Sequence, residues 1–399
     1  MLQDRGLRAS LKPGRPITLV LGAGVSLDRG LPLWPELLSE IWRRVFGEDF
    51  YERDRDFIRR AREACQRAGL PAEFITRLDV SRHPFELQFA FEQIYHHIRR
   101  GLPNPVFRKR LELPKRFDRS ITAKGSNEQA TADVFSYLLR NALYQRRRRA
   151  NIPLAGPDTL SLIARVVRRN AKLPAQERLI DRVITFNVDD LLEREINAGC
   201  RRRVPYAVPI ARASAVRPLT VQRSIAVYHL HGFVPMASSR YAHWMDDGWI
   251  ENVKAASESL VFTDEQYWRT VGNPAGFASR LFANALAGRC LFIGLSMTDV
   301  NIVRWLAQDA IERSDDFRRL TRDWDTQEAE FNVSEELSRH YWITQQRPDQ
   351  LAGQNSFRLT DVLRNTLSRR GVTSIDIPSW HSKEFRDWWR ACFLSQPQR

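Results

Sequence analysis

The run ITLVLGAGVS at residues 17–26 delivers five apolar or β-branched residues into a turn built on Gly22, Ala23 and Gly24. Two glycines let the backbone turn sharply and approach a ligand closely, so the turn reads as a cradle for a phosphate. Asn187 and Asp189 stand where the apolar run DRVITFN gives way to LLEREI, and taken alone they fit the capping of a helix that begins at Asp190. His229 and His231, in YHLHG, lie two residues apart and would share one face of a strand. That spacing suits a metal pair, but no third ligand accompanies it, and no metal is expected. His231 precedes Gly232, as at a strand end that opens into a cleft, whereas His229 is expected to pack within the sheet. Ser26 has no G-x-S-x-G elbow around it, and helix capping accounts for it.

These residues need strands to hold them. Short apolar runs occur at 18–22, 181–187, 224–232, 288–296, 339–344 and 372–378, each rich in Val, Ile or aromatic residues. Several are followed by helical periodicity, as in LLEREI and NIVRWLAQDAI. The alternation predicts an α/β, Rossmann-like parallel sheet with helices on both faces. The interval from 48 to 159 has helical patterning and no convincing strand, and is expected to be a large helical insertion. Residues 1–47 and 160–399 would then form the main domain. KRFDRSITAKGSNEQAT, in the interval 114–130, reads as an exposed loop, and HSKEFRDWWRACF near the end as an amphipathic helix packing Trp388, Trp389 and Phe393 on the body.

Composition bounds the function. The chain has 399 residues, 43% of them hydrophobic, enough for a substantial core. No apolar run reaches the roughly 20 residues of a membrane span, and the first residues lack the apolar core of a signal peptide, so a cytoplasmic location is expected. Cys65, Cys200, Cys290 and Cys392 are too far apart for a local disulfide framework or a CxxC metal knuckle, and are expected to be reduced and mostly buried. The formal charge of +15 attracts anions without choosing among nucleic acid, nucleotides and acidic proteins. Its densest run, QRRRRA at 145–150, suits a solvated or partner-facing surface.

GAGVS departs from the dinucleotide pattern GxGxxG, since Leu27 stands at the third glycine, and no ribose-binding acid occurs about twenty residues on. An ordinary dehydrogenase is therefore disfavoured. The ordered set GAGVSLDRGLPLWPELLSEI, VITFNVDDLLE, YHLHG, LVFTDEQY and LFIGLSMTDVNIVRWL resembles the sirtuin-like NAD-binding domain, in the zinc-free branch found in bacterial antiphage defence. The resemblance covers roughly residues 15–45 and 180–310. It implies that Gly22, Ala23, Gly24 and Ser26 form the phosphate turn, with the next helix N-terminus facing the pyrophosphate. It implies that Arg29, Gly30, Leu31, Pro32 and Trp34 cover the nicotinamide end. Asn187 and Asp189 would order the nicotinamide ribose and a water, and His231 would be the catalytic histidine. Gly294, Ser296, Asp299 and Asn301 would contact the adenosine ribose and phosphates.

Two departures bear on the reaction. The family's deacetylases carry Asp-Phe-Arg where this chain has Leu33, Trp34 and Pro35, and their zinc ribbon needs CxxC pairs that this chain lacks. Hydrolysis of NAD to nicotinamide and ADP-ribose is the simplest remaining reaction. Its oxocarbenium-like transition state needs a fixed sugar, an oriented water and a base of near-neutral pKa, which Asn, Asp and His supply. The resemblance further implies an NADase effector of antiphage defence by abortive infection, a homo-oligomer, and a HerA-type hexameric ATPase as partner, through which nucleic acid could be met. Two alternatives of other classes stand beside it: a non-catalytic subunit sensing NAD or ADP-ribose, and a nucleic-acid-binding protein or nuclease.

Overall fold

The computed structural model describes residues 7–8, 11–12, 14–47, 84–115, 117, 121, 127–149, 158–200, 205–211, 224–236, 260–263, 266, 276–297, 299–320, 339–345, 359–377, 380 and 383–394. Seven strands form one sheet: β1 Ile17–Leu21, β2 Ile180–Thr185, β3 Ala207–Ile210, β4 Ile225–His229, β5 Arg289–Ile293, β6 His340–Gln345 and β7 Val372–Ile377. Every pairing is parallel, in the order β3-β4-β2-β1-β5-β6-β7. Six of these strands are the apolar runs seen in the sequence. β3 is the addition, and it lies at the sheet edge, where Pro209 can sit without breaking a central ladder.

Ten α-helices accompany the sheet among the described residues: α1 Trp34–Phe46, α2 Pro84–Gly101, α3 Pro105–Arg110, α4 Asn127–Arg149, α5 Thr159–Ala171, α6 Leu191–Ile196, α7 Phe277–Leu286, α8 Val300–Leu320, α9 Leu359–Ser368 and α10 Lys383–Phe393. Successive side chains of a strand point to opposite faces, and the buried strand residues divide accordingly. Leu19, Leu21, Leu291, Ile293, Tyr341 and Ile343 face one core, together with residues of α1, α2, α4, α5 and α10. Val20, Ile184, Phe292 and Trp342 face the other, with α7, α8 and α9. The fold is thus a doubly wound Rossmann-like sheet covered on both sides.

The described part of the interval 48–159 is helical and shares the first of these cores, with Phe91, Ile94, Ile98, Val134, Phe135 and Leu138 buried against it. Residues 48–83 and 150–157, most of the 116–126 stretch of the expected loop, Cys65, and the side chains of the arginine run at 145–150 lie outside the described residues. Cys290 and Cys392 are buried thiols and Cys200 is half-buried. At the other end of the chain α10 packs on α5: Trp388, Trp389 and Phe393 are buried, and the Trp389 indole N–H donates to Leu162 O at 3.2 Å. No helix among the described residues is long and apolar enough to cross a membrane.

Two buried asparagines fix the strands that matter most. Asn170 Oδ1 accepts the N–H groups of Leu179 and Ile180 at 2.7 and 3.1 Å while its amide donates to Val166 O, which ties the end of α5 to the start of β2. Asn197 does the same for β3, accepting from Tyr206 and Ala207 and donating to Ala207 O. An unpaired amide in either place would carry a desolvation penalty, so each pins its strand firmly.

Candidate active site

β1 is flanked by β2 on one side and β5 on the other, so the direction of winding reverses at its carboxyl end, the place where open α/β sheets bind ligands. The GAGVS turn leaves β1 there, the Asn187 loop leaves β2, the His231 segment leaves β4, and the Gly294 turn leaves β5.

The glycines serve close packing. A Cβ on Gly22 would lie 2.6 Å from Gly294 O, and one on Gly24 2.9 Å from Gly294 Cα. Gly294 itself holds φ +66° with Val25 N 2.7 Å from where its Cβ would be, so neither turn accepts a side chain at the contact. The Gly22 and Gly24 N–H groups donate to Ile293 O and Gly294 O, each at 3.0 Å. They are engaged with the β5 turn, and the chain then enters a seven-residue 3₁₀ helix, Ala23–Arg29, in place of the α-helix N-terminus expected after the turn. Among residues 22–26 it is Ala23 and Ser26 that line the pocket.

That pocket is also lined by Leu31, Pro32, Trp34, Leu37, Leu143, Asn187, Val188 and Asp189. Its polar members form a chain. The Asn187 amide donates to Ser26 Oγ at 3.2 Å, and the Ser26 hydroxyl donates to Asp189 Oδ2 at 3.1 Å. Asp189 Oδ1 accepts the Leu191 N–H at 3.0 Å, so one oxygen of this carboxylate does cap α6 while the other meets Ser26. Asn187 is 8% exposed, and its buried Oδ1 has no hydrogen-bond partner among the described residues. An acceptor left open in the wall of a largely apolar pocket is a place for a hydroxyl or water of a ligand.

His231 stands beside this chain in an aromatic wall, its ring 5.7 Å from Trp34 and 5.2 Å from Phe186, both edge-on. Desolvation lowers its pKa, and the charge of Asp299 opposes that shift. The imidazole is therefore neutral at neutral pH. Trp34 is held in turn against Phe262 and Phe91 at 5.1 and 6.2 Å.

Other residues singled out from the sequence sit further off. Arg29 is engaged by Asp158, by Ser161 Oγ at 2.7 Å and by Glu195 Oε2 at 3.2 Å, tying the 3₁₀ helix to α5 and α6 rather than lining the pocket. Burial opposes the charge of its guanidinium, yet the Asp158 and Glu195 partners raise its pKa overall. Gly30 turns the chain at φ +73°. Asp299 caps α8, accepting the Asn301 N–H at 2.9 Å. Ser296 is exposed beside it. Among the described residues no group of three or more His, Cys, Asp or Glu could hold a metal ion.

Sequence reasoning passed over Tyr144, Glu193 and the role of His229. Tyr144, from α4, places its hydroxyl 2.8 Å from Val234 O and 3.0 Å from Asp190 Oδ1, and accepts the Asp190 N–H. His229 lies within the sheet as expected, but it is bonded to the Asn187 carbonyl and to Glu193. The alternation of His229 with His231, and a glutamate one turn into the helix after Asp190, were the available signals.

Burial pushes the Asp189 carboxyl up to about 6, with Asp190 and Glu193 adding to the rise while the Leu191 N–H and the Ser26 hydroxyl oppose it. Folding therefore favours the protonated form. The stability due to this group is fully present below about pH 4 and is lost as pH rises through about 6. Asp189→Asn should accordingly raise unfolding stability at pH 7.5, by up to about 3 kcal/mol from the two-unit shift, and give no gain at pH 4. Urea unfolding at the two pH values checks this; an equal effect at both contradicts burial as the cause.

A Rossmann-like protein with an amide and a carboxylate joined through Ser26 at the switch point of its sheet, and an imidazole in the aromatic wall beside Trp34, is the class that fold and site define. A family model described as a SIR2-like domain matches residues 181–362 of the chain. No curated protein matches the chain. SIR2-like domains use NAD. The matched stretch begins in β2, so β1 and its glycine turn precede it in sequence and join it at the centre of the sheet.

Proposed function

We propose that this protein is an NAD glycohydrolase that converts NAD and water to nicotinamide and ADP-ribose. The observation that carries the reading is the Asn187–Ser26–Asp189 chain on the wall of a pocket, with Asn187 Oδ1 open and His231 packed edge-on against Trp34, which lines the same pocket. In this reading the pocket receives the nicotinamide ring and its ribose. Leu31, Pro32, Trp34 and Leu143 would shield the ring from bulk water.

In this reading Asn187 Oδ1 accepts from a ribose hydroxyl or the attacking water. The ionised Asp189 stabilises positive charge developing on the sugar as the C–N bond to nicotinamide breaks. His231, neutral, takes the proton released as water adds. The adenosine end would extend toward Gly294, Ser296, Asp299 and Asn301. Hydrolysis is favoured over deacylation because Leu33, Trp34 and Pro35 replace the deacetylase triplet, and Trp34 is packed into the aromatic wall beside His231.

The reading extends to a division into residues 1–47 and 160–399 as the catalytic domain and 48–159 as a helical insertion. It also extends to a defence effector that depletes NAD in an infected cell, assembled as a homo-oligomer and regulated by a HerA-type ATPase. Sequence resemblance supports the defence role and this partner. The reach of Tyr144 and Leu143 from α4 to the site supports the insertion as the route of control. Incubating the chain with NAD in ¹⁸O water tests the reaction: one labelled oxygen in ADP-ribose supports hydrolysis, while bound but intact NAD replaces it with a sensing role. Retention on nucleic acid with a steep salt dependence and intact NAD would favour the nucleic-acid reading.

A further inference from the structure

His229 is 2% exposed and Glu193 is fully buried, yet neither lines the pocket. The His229 ring lies against Phe233 at 4.6 Å. Its Nδ1 is 2.8 Å from the Asn187 carbonyl oxygen and its Nε2 is 2.6 Å from Glu193 Oε1. A carbonyl only accepts, so Nδ1 carries a proton and donates it. Nε2 faces a carboxyl group, and a second proton must lie between the two. The pair is therefore a neutral unit that holds a proton on each side of the ring. A pair so buried is costly to break by removing one partner.

The bond from Nδ1 falls on the main chain of Asn187, whose own N–H donates to Thr185 Oγ1 at 3.0 Å. With both peptide groups of Asn187 fixed, its Cα–Cβ bond is aimed, and from there the side-chain amide reaches Ser26 Oγ. Val188 O accepts from Val234 N at 2.6 Å and Leu191 N caps on Asp189, so the loop is held at successive residues. We propose that His229, oriented by Glu193, is a positioning residue that sets the Asn187–Asp189 loop in its reactive geometry; this rests on the glycohydrolase reading.

Asparagine and glutamine separate the two ring nitrogens. The amide of His229→Asn can reproduce the Nδ1 bond to Asn187 O; that of His229→Gln reproduces Nε2 and loses it. His229→Gln should lower kcat for nicotinamide release about tenfold or more, the equivalent of one hydrogen bond of roughly 1.4 kcal/mol, with KM for NAD little changed. His229→Asn should retain most of the activity. A downfield, slowly exchanging imidazole proton in the wild-type ¹H NMR spectrum should vanish in Glu193→Gln. Equal kcat in the two His229 variants, or losses that track only the folded fraction, would overturn the proposal. If wild type releases no nicotinamide, the glycohydrolase reading fails by itself, and crystal structures of the two variants decide the positioning role. A displaced 186–190 loop in His229→Gln but not in His229→Asn supports it, and an unmoved loop in both refutes it.

Discussion

Asn187→Ala is expected to reduce nicotinamide release by two to three orders of magnitude, roughly the effect of removing a preorganised polar group from a transition state, while the protein stays folded. Among the described residues the side chain makes one hydrogen bond, to Ser26, and the main-chain bonds to Thr185 and His229 survive the substitution. Stability should therefore change by no more than about 1 kcal/mol. His231→Ala should cause a loss of about 10²–10⁴-fold, the usual range for a general base. Its ring contacts with Trp34 and Phe186 make it the more destabilising of the two. Nicotinamide quantified against time, beside an unfolding curve for each variant, separates chemistry from folding.

Gly22→Ala is expected to have a large effect on the fold for a single methyl addition. The new carbon would sit 2.6 Å from Gly294 O and 2.6 Å from Leu295 Cδ2, and the first of these is backbone. Either β1 and β5 move apart at their carboxyl ends or the turn rearranges. Overpacking of this kind costs about 1–3 kcal/mol, and the upper end applies where backbone must give way. The Ser26 and Asn187 geometry would shift with it, so activity should fall as well. Gly288→Ala is the control, since its Cβ would meet only Ala285 O at an ordinary 3.5 Å; it should be neutral. Urea midpoints for the two variants check the difference.

Much of this was legible because it is written locally. Six of the seven strands announce themselves as apolar runs, and their spacing by helical segments gave a parallel sheet covered on both faces. β3 did not, since four residues with Pro209 among them carry too little pattern, and only the pairing with β4 makes them a strand. The glycine turn was visible, but its use was not. Which N–H groups remain for a ligand depends on Ile293 and Gly294, more than 260 residues away in the chain. Arg29 was expected at the pocket and is bound to Asp158, Ser161 and Glu195, carboxylates and a hydroxyl whose proximity no local spacing encodes.

The site residues divide in the same way. Asn187, Asp189 and Ser26 do meet, and the capping alternative for Asp189 describes one of its two oxygens. The pair of His229 with Glu193 spans 36 residues and crosses from a strand to a helix, so only the packed fold brings it together. Tyr144 is the same case in stronger form, since it comes from the helical interval to bind Asp190 beside the site.

The central claim is tested most directly by measuring nicotinamide release from NAD by purified wild type as pH is raised from 5 to 8, beside Asn187→Ala. The account predicts ADP-ribose formed one for one with nicotinamide, a rate that climbs through about pH 6 as Asp189 ionises, and near silence in the variant. Equal rates in wild type and Asn187→Ala, or a flat profile across pH 6, would contradict it.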